Sequence, residues 1–307
     1  MSYGFLALND SNEVLITSDA RNLHFLQKKS SPTSVAFTSN DYGGMRRYIY
    51  SFSNVSVTPV PFFSAPTTDF YAISRVENKG SNNWDIEVIR SGVSTSTPEI
   101  YLFADPRAGS STEAYGMVVY MDDGTAAFDS RLKPLAVTGG SVITHPSNPR
   151  TSFSSTGLNA KYCPTNAGTV FAPTESNNYS LANQPSKPIF SFFSLAQAER
   201  EVIVQETEEE CEGFVVYGAC AGAKRKYYWT SKYWAFYRGG MRWDSGSLRA
   251  GWIVVEKGCN WDYYKDSQFL GIGTGGDSGT GGDWPYSNET INLTANTVIV
   301  ADGDRYD

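Results

Sequence analysis

Tyr115-Gly-Met-Val-Val-Tyr-Met-Asp-Asp-Gly-Thr-Ala-Ala-Phe-Asp-Ser130 decides how this chain is read. Met117 to Tyr120 is apolar and partly β-branched. Asp122-Asp123-Gly124 supplies the positive φ of a tight reversal, and Thr125 to Phe128 returns as a second strand. The stretch predicts a β-hairpin with an acidic tip. It has an echo, because Tyr3-Gly-Phe-Leu-Ala-Leu-Asn-Asp-Ser-Asn-Glu-Val-Leu-Ile-Thr-Ser18 aligns with it without a gap at an offset of 112 (115 minus 3). The register sets Tyr3 on Tyr115, Gly4 on Gly116, Asp10 on Asp122, Ser18 on Ser130 and, further on, Leu23 on Leu135. Asn12 falls on Gly124, and these residue types enter the left-handed conformation most readily. Identities and turn chemistry together point to a duplicated module.

Composition agrees with strands. The 307 residues are 14% aromatic, with 19 Tyr and 17 Phe, and only 19% charged. Ser, Thr, Asn and Gly fill the gaps, a mixture that suits strands and polar turns rather than helical bundles. A net charge of −7 argues against nucleic acid as a partner, since phosphate contacts want a basic surface. No charged, apolar-cored leader opens the sequence, and Phe214 to Ala223 is about half of the ~20 residues a membrane span needs. The chain is therefore expected to be made in the cytoplasm, with no membrane insertion. Cys163, Cys211, Cys220 and Cys259 have no metal-knuckle spacing, and the expectation is reduced thiols.

Outward from the hairpins, Asn22 to Asn40 reads as a polar connection. Period-two strands are expected at Arg46 to Phe52, Val55 to Val60, Phe70 to Val76, Trp84 to Arg90 and Ile100 to Phe103. Pro59, Pro61 and Pro66 mark an edge or a loop. Ser141 to Lys187 is rich in Ser, Thr, Asn and Pro, and reads as an irregular excursion holding a boundary near residue 150. Leu195 to Glu206 is the helix candidate. Strands resume at Phe214 to Tyr217, Tyr227 to Tyr237, Trp252 to Glu256 and Thr297 to Val300. The expected architecture is mainly β with little helix. It divides into a β-sandwich-like domain at 1–150, carrying hairpins at 3–18 and 115–130, and an aromatic-rich β domain at 151–307.

Two motifs imitate catalytic signatures and fail on context. Gly276-Asp-Ser-Gly279 has the form of a serine-protease nucleophile, with His145 upstream, but no Asp lies between His145 and Asp244 to orient the imidazole. Gly271-Ile-Gly-Thr-Gly-Gly276 satisfies a dinucleotide pattern, yet Asp277-Ser-Gly-Thr-Gly-Gly282 cannot open the helix that pattern requires. With His24 and His145 alone, a histidine metal site is excluded, and Asp122-Asp123-Gly124 lacks the spaced carboxylates of a calcium loop. No catalytic residue, metal or cofactor is expected.

One region is chemically distinctive. Seven acids between Glu199 and Glu212 precede six bases and eight aromatics between Lys224 and Trp243. Lys224, Arg225, Tyr228, Trp229, Tyr233, Trp234, Tyr237, Arg238 and Trp243 are the candidate contact residues. Three readings fit: a strand pair whose bases meet the acidic run, a subunit interface rich in Tyr, Trp and Arg, or a stacking platform for sugars.

The Tyr-Gly, apolar strand, Asp/Asn-rich turn, apolar strand, Asp/Thr-Ser pattern of Tyr3 to Leu26 and Tyr115 to Val137 resembles one found near the start of small virion proteins of tailed bacteriophages. The resemblance implies a structural role at a tail tip, baseplate or tail-fibre base. It further implies residence in the virion, other tail proteins as partners and a homo-oligomer within the particle. It carries over no catalytic residue. The rival expectation is a receptor-binding module for a host surface glycan, using Trp229, Trp234, Trp243, Trp252 and Trp261. A hydrolase is the least supported.

Overall fold

A computed structural model describes residues 6–8, 14–17, 21–38, 45–64, 69–91, 97–109, 112–147, 176–181, 185–212, 215–216, 219–220, 223–244, 246–266, 286–292 and 295–307. The chain is mainly β, and the described residues contain no helix beyond short 3-10 turns. Its first strands are β1 (Leu6–Leu8), β2 (Val14–Thr17), β3 (His24–Lys29), β4 (Ser34–Thr38), β5 (Met45–Phe52), β6 (Val60–Ser64) and β7 (Tyr71–Gly80). Next come β8 (Asn83–Arg90), β9 (Ile100–Ala104), β10 (Val118–Tyr120), β11 (Ala126–Asp129), β12 (Val137–Ile143), β13 (Ser176–Ser180) and β14 (Pro188–Ser191). The last are β15 (Gln197–Glu212), β16 (Val215–Val216), β17 (Ala219–Cys220), β18 (Ala223–Asp244), β19 (Ser247–Asp266), β20 (Tyr286–Asn292) and β21 (Asn296–Asp302).

Two antiparallel sheets face each other. One runs β12-β21-β14-β6-β9-β3; the other runs β13-β19-β18-β7-β8-β5-β4, with β15 and β20 added beside β18. Alternation along each strand builds the layers. Phe63, Ile100, Leu102, Phe190, Val298 and Val300 point from the first sheet into the core, meeting Tyr48, Tyr50, Phe52, Ile73, Ile86 and Val88 of the second. The intervening residues Phe62, Tyr101, Phe103, Ile189 and Ala301 face the other way and form a second apolar layer. Tyr306, Phe25, Leu23 and Leu135 cover that layer, with the Phe25 and Tyr306 rings stacked 5.2 Å apart. Inside the main core Arg90 is fully buried. Its guanidinium is 3.2 Å from Asp69 and donates to the Tyr48 hydroxyl at 2.8 Å, which satisfies the charge that burial would otherwise strand.

Several expectations need correction. The core runs from Met45 to Val300, and both sheets take strands from either side of residue 150, so that boundary does not separate two cores. Val137–Ile143 and Ser176–Ser180 are strands of opposite sheets, and residues 148–175 between them lie outside the described residues. The helix candidate is strand β15, which β18 and β20 flank on both sides. Val202, Ile203 and Val204 carry that preference, because β-branched side chains suit the pleat. Asn22 to Asn40 contains β3 and β4 rather than a connection. Pro61 lies inside β6, but at a point where β9 alone pairs, since β14 meets only Phe63 and Ser64. The missing N–H therefore leaves no ladder bond unmade. Cys259 is disulfide-bonded rather than reduced, and the side chains of Cys163, Cys211 and Cys220 lie outside the described residues.

Candidate functional site

The two hairpins share one pairing register. In the first, Leu6 opposes Thr17, Ala7 opposes Ile16 and Leu8 opposes Val14, with a bulge between Ala7 and Leu8. In the second, Val118 opposes Asp129, Val119 opposes Phe128 and Tyr120 opposes Ala126, with a bulge between Val119 and Tyr120. Every pair, bulge included, maps onto its counterpart at the offset of 112. Bulges arise from specific local sequence, so matching ones argue for a true repeat. Residues 9–13, the first turn, lie outside the described residues.

The chain after each hairpin joins them. Phe25 N–H donates to Lys133 O at 2.8 Å, Leu135 N–H donates to Leu23 O at 2.7 Å, and His24 bridges Pro134 in antiparallel sense. An antiparallel ladder has a local twofold axis at each opposed pair. The axis at Leu23 and Leu135 carries each residue onto the one 112 further along, the offset of the repeat. The equivalent strands β2 and β11 also touch. The hairpins thus form an internal pseudo-dimer. Pro134, at the position equivalent to Asn22, cannot repeat the Asn22 N–H bond to Ala127 O, so the symmetry is approximate.

The second hairpin shows how such a tip is held. Gly124 has φ +77°, and its N–H donates to Met121 O at 3.0 Å. The Thr125 hydroxyl and N–H donate to Asp123 and hold its carboxyl below the usual range. Arg21, just beyond the first hairpin, donates to Thr125 Oγ1 at 2.9 Å, and its Nε lies 2.9 Å from Asp105 as an ion pair. Val119, Ala127 and Phe128 form a small core under this hairpin, while Tyr115, Met117 and Tyr120 stay exposed. Tyr115, 92% accessible, has no packing role.

Alternation divides the aromatic block. Tyr233 and Tyr237 are fully buried, Tyr237 with its ring against Trp252, so they belong to the interior. Trp243 is half-buried and packs on Phe190, 5.9 Å between centroids. Trp234 and Arg238 are half-exposed, and Phe236 and Lys232 are exposed. The side chains of Lys224, Arg225, Tyr228, Trp229 and Trp261 lie outside the described residues. The acidic and basic runs are cross-strand neighbours, with Glu209 opposite Lys226 and Glu210 opposite Arg225, and Lys232 pairs with Glu201. The Lys232–Glu201 pair is thus made within the chain.

A cleft of about 650 Å³ opens where the second sheet divides. β7 pairs with β18 only at Tyr71 and Met241. Phe192 and Ser194 then hydrogen-bond to Ile73, and β15 replaces β7 beside β18. The wedge splays β5, β7 and β8 away from β15, β18 and β19. Arg47, Ser74, Arg75, Glu87 and Ile89 line one wall, and Gln197, Glu199, Phe236, Arg238 and Glu256 the other. Glu87 accepts from the Ser74 hydroxyl at 2.6 Å and pairs with Arg75 at 3.4 Å. Of these residues only Arg238 was a candidate contact residue from sequence, because all but Phe236 of the rest come from five other strands with no shared motif.

Elsewhere, charged groups serve the fold. Lys28 and Lys187 each contact Glu99 and Asp307, at 2.5 to 3.0 Å. Burial opposes the charge on Glu99, but hydrogen bonds from Lys187, Lys28, Tyr101 and Ser30 outweigh it and bring its carboxyl down to about 2. His145 is buried against Trp252 and Phe192, and burial pulls its imidazole down to about 4 despite a backbone contact with Gly240. Gly276 to Gly279 lies outside the described residues. No protein-family model, curated protein or solved structure matches the chain.

Proposed function

We propose that this chain is a non-enzymatic assembly component of a bacteriophage tail, at the tip, baseplate or fibre attachment. Its two equivalent hairpins dock on neighbouring subunits. The observation that carries the reading is the shared hairpin register about an approximate twofold axis. Such a module offers two equivalent outer edges, β1 and β10, each paired on one side only among the described residues. An unpaired edge beside exposed Tyr115, Met117 and Tyr120 suits strand and turn contacts with a protein partner. The Cys259 disulfide is consistent with service in a particle outside the reducing cytosol.

The test uses purified tailed particles from the strain that carries the gene. Mass spectrometry should find the chain in them, and antibody labelling should place it on the tail. A Tyr115→Ser, Tyr120→Ser chain that keeps its circular dichroism spectrum should fail to enter particles. A chain absent from particles, or a variant incorporated as well as wild type, refutes the proposal.

Recognition of a host surface glycan is a second reading, favoured by one observation. The cleft lies on the outer face of the second sheet, with a polar lining and an exposed aromatic ring.

A further inference from the structure

We infer that the cleft between the two leaves of the second sheet binds a carboxylate-bearing oligosaccharide, of the uronic- or sialic-acid class. The inference rests on the glycan-recognition reading and names the ligand chemistry for it.

The lining of the cleft leaves charged groups unmatched among the described residues. Arg75 is engaged by Glu77 at 3.0 Å and by Glu87 at 3.4 Å. Arg47, Arg238, Glu199 and Glu256 line the same cleft and enter no ion pair or side-chain hydrogen bond with a described residue. Two cations and two carboxylates therefore share about 650 Å³ without being satisfied by one another. A ligand entering must supply partners for both signs, or strand charges it has stripped of water.

That requirement selects the ligand class. A guanidinium fork matches a carboxylate with two parallel hydrogen bonds, so Arg47 or Arg238 can hold an acid group in fixed orientation. Glu199 and Glu256 accept only, which suits the hydroxyl donors of a sugar. A densely phosphorylated or sulfated chain would set several negative charges against these two carboxylates. An apolar molecule would satisfy none of the four. Phe236, 37% exposed, offers a ring face beside Trp234, 5.5 Å away between centroids, on which a pyranose can stack. Met45, Ile89 and Val255 add apolar lining, and the volume of the cleft is within the usual range for small-ligand sites.

The experiment is an array of uronic- and sialic-acid oligosaccharides, their methyl esters, their neutral parents, and sulfated and phosphorylated analogues. Hits are then titrated by calorimetry. Wild type should retain the free acids, and methyl esterification should weaken binding about tenfold or more, because it removes the charge-assisted bonds. Arg47→Gln and Arg238→Gln should each lose a comparable factor, whereas Arg107→Gln, outside the cleft, should lose none. The ester comparison uses unaltered protein, so it stands whether or not a variant folds. Neutral parents bound as tightly as acids would overturn the inference and leave glycan recognition standing. Preference for sulfated or phosphorylated chains would overturn it too. Absence of any glycan binding would remove both.

Discussion

His145 gives the sharpest test of how the core is built. Its ring lies 5.1 Å from Trp252 and 6.1 Å from Phe192 between centroids, and it is 2% exposed. Gly239 completes the wall, since a Cβ there would stand 2.4 Å from Nε2. The folded protein holds the ring neutral, with its pKa at about 4 against an ordinary 6.5. Above pH 6.5 both folded and unfolded chains carry neutral imidazole, and this group adds no pH dependence. Between 6.5 and about 4 the unfolded chain takes up the proton and the folded one does not, so stability falls as pH falls. A gap of roughly two and a half pH units corresponds to about 3 kcal/mol, complete near pH 4. His145→Met keeps the volume and removes the proton site, at a cost near neutrality of about 1.5 kcal/mol or less if the site repacks. Urea unfolding of both proteins from pH 7.5 to 3.5 isolates the effect, because His24 and the carboxylates are common to both. The wild-type advantage should shrink, or reverse, by about 3 kcal/mol over that span. A difference that stays flat with pH would refute the account of His145 as a buried neutral base.

Two further outcomes follow from local chemistry. Glu99, brought down to about 2, contributes stability that is complete above its ordinary 4.5 and is lost as pH falls toward 2. Glu99→Gln should cost about 1–3 kcal/mol at pH 7, with the difference closing toward pH 2 in a denaturation series. Gly124→Ala should cost about 1–2 kcal/mol by differential scanning calorimetry, since φ is +77° and no atom lies within 4 Å of the added Cβ. The penalty would then be purely conformational, and a neutral result would mean the turn adopts another form.

The hairpins were legible because their information is local. Turn residues, period-two alternation and a gapless echo sit within sixteen residues, and the register of Val118 to Asp129 obeys them. The extra strands at His24–Lys29 and Gln197–Glu212 were missed for physical reasons. Phe25 and Leu26 are the only large apolar residues in β3, which owes its place to β9 and to the aromatic cover of Tyr306. In β15, glutamates gave a helical look that Val202, Ile203 and Val204 only weakened, and pairing on both sides settled it. The supposed boundary near residue 150 was a change in composition, but composition does not report which strands pair. The cleft was illegible for the same reason, since Arg47, Glu87, Glu199, Arg238 and Glu256 belong to five strands.

The layering separates the two proposed roles in space. Leu23 and Leu135, at the pseudo-twofold axis, pack on Phe62, Tyr101 and Phe103, the outer face of the first sheet. Arg47 and Glu87 alternate with Tyr48, Ile86 and Val88 of the core, so the cleft opens on the outer face of the second sheet. The hairpins and the cleft therefore lie on opposite sides of one sandwich. A subunit docked through its hairpins turns its cleft away from the surface it is docked on, which is the orientation needed to meet a glycan from solution. Among the described residues, none from the hairpins lines the cleft. Loss of particle entry in the Tyr115→Ser, Tyr120→Ser chain should accordingly leave glycan affinity unchanged. Coupled loss of both in a folded variant would place the two functions on one surface, and the opposite-face arrangement would fail as their explanation.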